Sequence, residues 1–381
     1  MITDVLHPMR GRRPDKPEPG LADWLESWHI DIWLLLLLVA VAGIGIFIQY
    51  SASGHSIDGV ISQSQRVVLG LVVMAAIAQA PPDLYRTIAP WLYAFTLLLL
   101  IATLILGDAA KGATRWLDLG VLRFQPSELM KLAMPTTAAA FLHTRRLPPT
   151  LLTICATLLL ILVPAALIAK QPDLGTALLI VAAGGFALFL GGLQWRWIVG
   201  ALAVLGAAAP ILWEHLKDYQ RQRVLTLLDP ESDPLGAGYH ITQSMIAIGS
   251  GGTFGKGWLN GTQAKLDFLP EAHTDFIFAV YSEELGFIGV LLLLTLYLAI
   301  IGRCLWIAVR AQDTFQRLLA GSLAMTFFIY VFINMGMVIG LLPVVGVPLP
   351  LVSYGGTSAV SLLACFGMLM SVHTHRKLLA N

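Results

Sequence analysis

The chain has 381 residues, of which 57% are hydrophobic and only 12% charged, against about 25% charged in an ordinary soluble domain. That balance excludes water as the main solvent and leaves no stretch for a separate soluble domain. The formal net charge of +1 gives no argument for a nucleic-acid partner, because in such a chain what counts is the side on which the charges lie. Taken from the N-terminus, a basic start (Arg10, Arg12, Arg13, Lys16) and a Leu-rich run imitate a secretory signal, with Ser51-Ala52-Ser53 as a small-residue cleavage site. The apolar run from Ile32 to Tyr50 is too long for a signal core and reads as an uncleaved first helix.

Further apolar segments follow at 66–80, 90–107, 127–142, 150–169, 174–193, 197–213, 275–301, 318–342 and 357–372. The expected fold is therefore an all-α integral membrane protein of about ten transmembrane helices, with a cytoplasmic tail over 1–28, one membrane domain over 29–377 and a short cytoplasmic end at 378–381. Cys155, Cys304 and Cys365 all fall in apolar segments without metal-ligand or CxxC spacing, so buried free thiols are expected. No internal repeat is evident, which gives no support to the inverted-repeat plan of transporters.

With the N-terminus inside, thirteen of the 24 Lys and Arg lie on cytoplasmic segments. Nine fall on the opposite face: Lys111, Arg115, Arg123, Lys170, Lys217, Arg221, Arg223, Lys256 and Lys265. Arg66 and Lys131 sit in or at the ends of helices. Nine outer cations are many for a rule that depletes them there, and they cluster: three (Lys111, Arg115, Arg123) in the short loop between the third and fourth helices, and five (Lys217, Arg221, Arg223, Lys256, Lys265) in the long loop between the seventh and eighth. An anionic ligand at the outer surface accounts for both clusters, whereas a long loop that crosses regardless of charge accounts only for the second. That second loop, 214–274, is far longer than a usual connection. Its helically spaced Ile241, Met245 and Ile248, its amphipathic stretch from Tyr219 to Leu228 and its Gly-rich run from Gly249 to Gly261 predict short interfacial helices and tight turns over the bundle.

A charge at membrane depth costs on the order of 3 kcal/mol, so each is a candidate for function. Glu128 and Lys131 are three apart on one helix face and neutralise each other; an ion pair that only aligns helices explains them equally well. Ahead of them, Lys111-Gly112-Ala113-Thr114-Arg115-Trp116-Leu117-Asp118 and Arg123 put cations, glycine and an interfacial Trp116 beside a helix start, a combination suited to a pyrophosphate. In Lys170-Gln171-Pro172-Asp173, Asp173 reads as a helix cap that also has the means to line a site. Glu271, His273 and Asp275 lie where a polar loop runs into an apolar helix. They have no zinc spacing, and Asp275 suits either a cap or a general base for a hydroxyl nucleophile. Glu283 and Glu284 lie within an apolar run, so at least one needs a partner inside the bundle. Ser353, Gly355 and Gly356, in the stretch from Pro348 to Ser358, offer backbone amides to an anion, although a plain turn explains the glycines almost as well.

Together the stretches Lys111–Gly120, Arg123–Lys131, Gln171–Thr176, Gly249–Gly261, Phe268–Gly286 and Leu349–Ser358 and the tail from His373 to Lys377 resemble the SEDS family of bacterial cell-wall polymerases, most closely its rod-shape member. The resemblance implies a multi-pass protein of the bacterial cytoplasmic membrane with both termini cytoplasmic and a periplasmic active site. It implies a peptidoglycan glycosyltransferase that joins lipid II, the undecaprenyl-pyrophosphate-linked disaccharide pentapeptide, into β-1,4 glycan strands by inverting displacement during cell elongation. It also implies a class B penicillin-binding transpeptidase and other elongation-machinery membrane proteins as partners, and no nucleic acid. Asp275 matches the family's essential carboxylate, and Glu128 and Lys131 its sensitive pair. Lys111, Arg115, Trp116, Arg123, Glu128, Lys131, Asp173, His273, Ser353, Gly355 and Gly356 are expected to bind substrate. No protein metal cage is expected, with a divalent cation such as Mg²⁺ or Mn²⁺ assisting on the phosphates. A flippase for the same lipid is the alternative activity, and it predicts polar groups along the full depth of the bundle. A non-enzymatic scaffold leaves Lys131 and the basic outer loop without a purpose.

Overall fold

The computed structural model describes residues 28–110, 113–118, 123–216, 218–233, 236–266, 268–269 and 271–375. The N-terminal tail, Lys111, Lys217, Arg376 and Lys377 therefore lie outside the described residues. Among the described residues ten long helices form the bundle: α1 (Ile32–Ala52), α2 (Ile57–Ala78), α3 (Pro82–Leu106), α4 (Pro126–His143), α5 (Leu151–Lys170), α6 (Leu174–Leu190), α7 (Trp195–His215), α11 (Ile277–Val309), α12 (Thr314–Val338) and α13 (Thr357–Thr374). Seven of them are long and apolar enough to cross a membrane, and α6 and α7 carry shorter apolar spans. The tenth, α4, contains Glu128 and Lys131 and is buried along most of its length. It packs against α3, α5, α6, α12 and α13, so neighbouring helices, and not lipid, are its solvent.

The helix starts are chemically marked. Asp31, Ser56, Thr150, Asp173 and Asp313 accept hydrogen bonds from first-turn amides of α1, α2, α5, α6 and α12, supplying donors otherwise orphaned at a helix end. Helix α2 begins nine residues before the apolar run at 66, and α3 eight before the run at 90, because both open with turns whose polar residues interrupt the apolar pattern. In α2, Gln63 is fully buried and donates to the Ser353 carbonyl at 3.1 Å. Pro164 in α5 deprives the Leu160 carbonyl of its helical donor, and the Tyr93 hydroxyl of α3 donates to that carbonyl at 2.8 Å.

Between α3 and α4, where the sequence predicts a loop, the described residues form three short antiparallel strands: β1 (Asp108–Ala110), β2 (Ala113–Asp118) and β3 (Arg123–Phe124). Asp108 faces Trp116 and Leu117 faces Phe124 in the register. The long segment after α7 holds α8 (Asp218–Leu228), a 3₁₀ turn at Pro230–Ser232, α9 (Ala237–Gly251) and α10 (Thr262–Lys265), matching the expected short helices. Cys304 is buried, Cys365 partly buried and Cys155 exposed, all as free thiols; the expected burial of Cys155 is corrected, since it lies on an outward face of α5.

The glycine-rich turn after α9 docks into a break in α11. Gly286 has φ 65° and ψ −165° inside that helix, a conformation open only to glycine. The amides of Phe287 and Ile288 turn to the carbonyls of Gly252 and Thr253 (2.9 and 3.2 Å), and the amides of Lys256 and Gly257 reach those of Glu283 and Glu284 (both 3.0 Å). A Cβ on Gly286 would stand 2.2 Å from the Gly255 nitrogen. Glu283 is fully buried and accepts from Lys256 Nζ at 2.6 Å and from the Thr262 amide and hydroxyl at 2.8 Å each. Glu284 accepts from Ser51 of α1, so both carboxylates find partners.

Candidate active site

Where α4, α6 and α12 meet the turn before α11 and the stretch before α13, a cleft of about 470 Å³ opens. Its walls include Arg115 and Trp116 of β2, Glu128 and Lys131 of α4, Asp173, Asp275, Gly355 and Gly356. Eight of the residues expected to act are thus brought to one cavity from five separate stretches of chain. Ser353 and His273 are not among the lining residues. The Ser353 hydroxyl is consumed by the Leu349 amide at 2.7 Å, closing the turn that carries the glycines. His273 works through its carbonyl, which accepts from the Tyr354 amide at 2.9 Å, with the two rings edge to face at 6.0 Å. Through these bonds Ser353 and His273 shape the loops around the cleft. Arg123 occupies β3 opposite Asp118, and Lys111 lies outside the described residues.

Asp275 stands in the turn two residues ahead of α11, and no side chain caps that helix. Its carboxylate is therefore not occupied as the cap that its position suggested. Two backbone clamps fix it. Asn334 of α12 donates through Nδ2 to the Asp275 carbonyl at 3.0 Å and to the Val347 carbonyl at 2.7 Å. The His273–Tyr354 amide bond holds the same turn two residues earlier. A methyl group added at Gly346 would lie 3.5 Å from Asp275 Oδ2, so the carboxylate faces the stretch that lines the far wall.

Lys131 is 9% exposed and bonds Glu128 Oε1 at 2.7 Å and the Tyr330 hydroxyl at 3.0 Å. Ser361 of α13 donates to the other Glu128 oxygen. The pair is thus a four-residue junction of α4, α12 and α13 that also faces the cleft. Asp173 does both things considered for it: Oδ1 caps α6 through the Thr176 amide at 3.2 Å, Oδ2 accepts from Gln125 at 3.2 Å, and the residue lines the cavity. Arg115 is aimed by the carbonyls of Gln171 and Pro172.

Sequence reading missed Tyr330, Asn334, Tyr354 and Arg66 as members of this site. Tyr330 and Asn334 lie four apart in an apolar run, a spacing that puts both on one face of α12; a buried amide in such a run was the available signal. Arg66 places its guanidinium 4.4 Å from the Tyr354 ring centroid, a cation–π arrangement behind the cleft wall. No group of three or more His, Cys, Asp or Glu able to hold a metal ion occurs among the described residues.

A profile of the cell cycle protein family that groups FtsW, RodA and SpoVE matches residues 26–378. The chain belongs to that family. Among its relatives, peptidoglycan glycosyltransferase MrdB of Escherichia coli K12 is 54% identical over 95% of this chain and 98% of its own length. A probable peptidoglycan glycosyltransferase FtsW of Trichlorobacter lovleyi is 37% identical over 91% of this chain and 94% of its own. A solved chain from a study of structural coordination of polymerization and crosslinking by a peptidoglycan synthase complex superposes with a TM-score of 0.82 at 34% identity, covering 91% of this chain and 98% of that one. Rod shape determining protein RodA of Thermus thermophilus superposes with a TM-score of 0.69 at 30% identity, covering 91% and 98% of the two chains. Family membership and the helical fold agree with the resemblance drawn from the sequence motifs.

Proposed function

We propose that this membrane enzyme is a peptidoglycan glycosyltransferase that polymerises lipid II, with Asp275 as its base. The observation that carries the reading is the position of Asp275: a carboxylate held by its backbone from two sides, not spent on capping α11, in the same cleft as Arg115 and Lys131. Asp275 takes the proton from the 4-hydroxyl of the acceptor N-acetylglucosamine. The oxygen attacks the anomeric carbon of the donor N-acetylmuramic acid, the bond to undecaprenyl pyrophosphate breaks, and a β-1,4 bond forms with inversion. One base suffices because pyrophosphate is already a good leaving group, unlike the alcohol expelled by glycosidases with paired carboxylates. Arg115 and Lys131, with Lys111 and Arg123 on the neighbouring segment, stabilise the charge that develops there. A divalent cation, if bound to the substrate's phosphates, would supply further positive charge, since Mg²⁺ commonly relies on substrate phosphates for its ligands.

In the membrane the cleft faces the periplasm, with 214–274 as the large periplasmic segment and both termini, 1–28 and 378–381, in the cytoplasm. The uneven spread of Lys and Arg supports this orientation. A class B penicillin-binding transpeptidase is the expected partner, a reading supported by the likeness to a chain of a peptidoglycan synthase complex.

The deciding experiment supplies purified protein, alone and with its transpeptidase, with lipid II in detergent. Polymer made by the wild type and absent with a folded Asp275→Ala variant is the expected result. Lipid movement across vesicles without polymer from either preparation would replace this reading with transport.

A further inference from the structure

A second cavity lies at the far end of the bundle. It opens between α3, α4 and α5, has a volume of about 570 Å³, and is lined by Arg86, Pro90, Tyr93, Ala140, Phe141, His143 and their neighbours. Arg86 is in the first turns of α3 and His143 is the last residue of α4, whereas the cleft touches the first turns of α4. Glu128 at the cleft and His143 at the mouth of this cavity are both on α4, roughly 22 Å apart at 1.5 Å per residue, so the two mouths belong to opposite membrane faces. Small or ring-shaped residues at Ala89, Pro90 and Ala140 leave the space unfilled, and the Tyr93–Leu160 hydrogen bond that answers Pro164 closes its floor.

The chemistry changes from floor to mouth. Pro90, Tyr93, Ala140, Phe141 and Leu160 make an apolar shaft. At the mouth, Arg86 Nη1 lies 3.4 Å from His143 Nε2, and the Arg145 guanidinium stacks 5.1 Å above the Phe141 ring. His143 Nδ1 is buried without a hydrogen-bond partner among the described residues. Asp83 opposes this charge, 3.2 Å from Arg86, but Arg86, Arg145 and the adjacent, exposed Arg146 outnumber it. A cation-rimmed shaft between membrane helices matches a ligand with an anionic head and an apolar chain. A free anion has no use for the shaft, and a zwitterionic lipid gains nothing from the surplus charge.

We propose that this cavity binds one anionic phospholipid from the leaflet opposite the cleft, its phosphate at Arg86 and Arg145 and one acyl chain between α3 and α5. The test uses the delipidated full chain in detergent, titrated by native mass spectrometry with phosphatidylglycerol and, separately, phosphatidylcholine of the same chains. Phosphatidylglycerol should bind preferentially. Arg86→Ala and Arg145→Ala should each lower its affinity about fivefold, the effect of one cation near an anionic lipid surface, and leave phosphatidylcholine binding unchanged. Ala140→Trp should block both lipids, and the smaller change Ala140→Leu, which keeps the test open should the tryptophan variant melt below the wild type, should weaken both. Equal binding of the two lipids, or indifference to the arginine substitutions, would overturn the proposal. So would displacement of phosphatidylglycerol by an equal concentration of glycerol phosphate, which would mark an anion site without a chain.

Discussion

Asp275 shows how one residue's role is decided by its neighbours. A carboxylate at a helix start ordinarily caps it, and Asp173 does so at α6, but at α11 the turn is held by Asn334 and Tyr354 through backbone carbonyls. Asp275→Asn keeps that turn and removes the base, so polymerisation should fall by about 10²–10⁴-fold, the usual worth of such a base, with an unchanged melting temperature. Asn334→Asp keeps the size of the side chain and loses the two-pronged donor. The expected result is a kcat lowered by about 10²-fold, as for a base misplaced by an ångström, with KM within about twofold; parallel loss of kcat and melting temperature would reduce Asn334 to a packing residue. Arg115→Ala should raise the donor concentration needed for half-maximal rate while leaving the melting temperature close to wild type. Equal damage to both would count against a phosphate contact.

At the level of elements, the ten apolar runs gave the ten long helices because a helix away from water must satisfy its own backbone, whether lipid or other helices surround it. The readable part ended where the apolar run ended. The first turns of α2 and α3 carry Asp58, Gln63, Arg66, Asp83 and Arg86, which broke the hydrophobic pattern although they continue the helix against protein and solvent. The strands β1 to β3 are too short and too mixed in polarity for period-two alternation to register. The cleft was legible as a set of expensive polar residues, but its assembly was not, since Tyr330 and Asn334 announce themselves only by facing Lys131 and Asp275 across α12. The junction of α11 with the glycine-rich turn was half legible: the sequence asked for a partner for at least one of Glu283 and Glu284 but not for a helix broken at Gly286. Gly286→Ala should cost more stability than an ordinary helix substitution, because it forces a side chain onto φ 65° and onto the Gly255 backbone. Limited proteolysis should then cut the segment between α9 and α11 sooner than in the wild type; an unchanged digestion pattern would show that the break tolerates a side chain.

Across the whole molecule, the polar interior is concentrated at two ends, and the end away from the cleft is a clamp. Asp31 is 3% exposed. Its Oδ1 caps α1 through the Leu34 amide at 3.0 Å, and its Oδ2 accepts from Arg303 Nε and Nη2 of α11 at 3.0 and 2.7 Å and lies 2.9 Å from His373 Nδ1 of α13. Three helices distant in sequence are therefore tied through one carboxylate, and Trp306 packs between the guanidinium groups of Arg303 and Arg310 at 4.2 and 4.4 Å. Burial alone pushes the Asp31 carboxyl up, but the hydrogen bonds from His373, Arg303 and the Leu34 amide outweigh it and hold the group at about 2. A carboxyl lowered on folding contributes stability in full above its unfolded value, near 3.9, and that contribution disappears as pH falls through the folded value. Asp31→Asn should therefore melt below the wild type at neutral pH, by about 3 kcal/mol if the remaining Arg303 charge is left unpaired in the interior. The gap should close between roughly pH 4 and pH 2, where the wild-type carboxyl also becomes neutral. Melting curves of both proteins in one detergent across that range decide it: a gap that stays constant with pH would mean that Asp31 acts through shape and not through its charge.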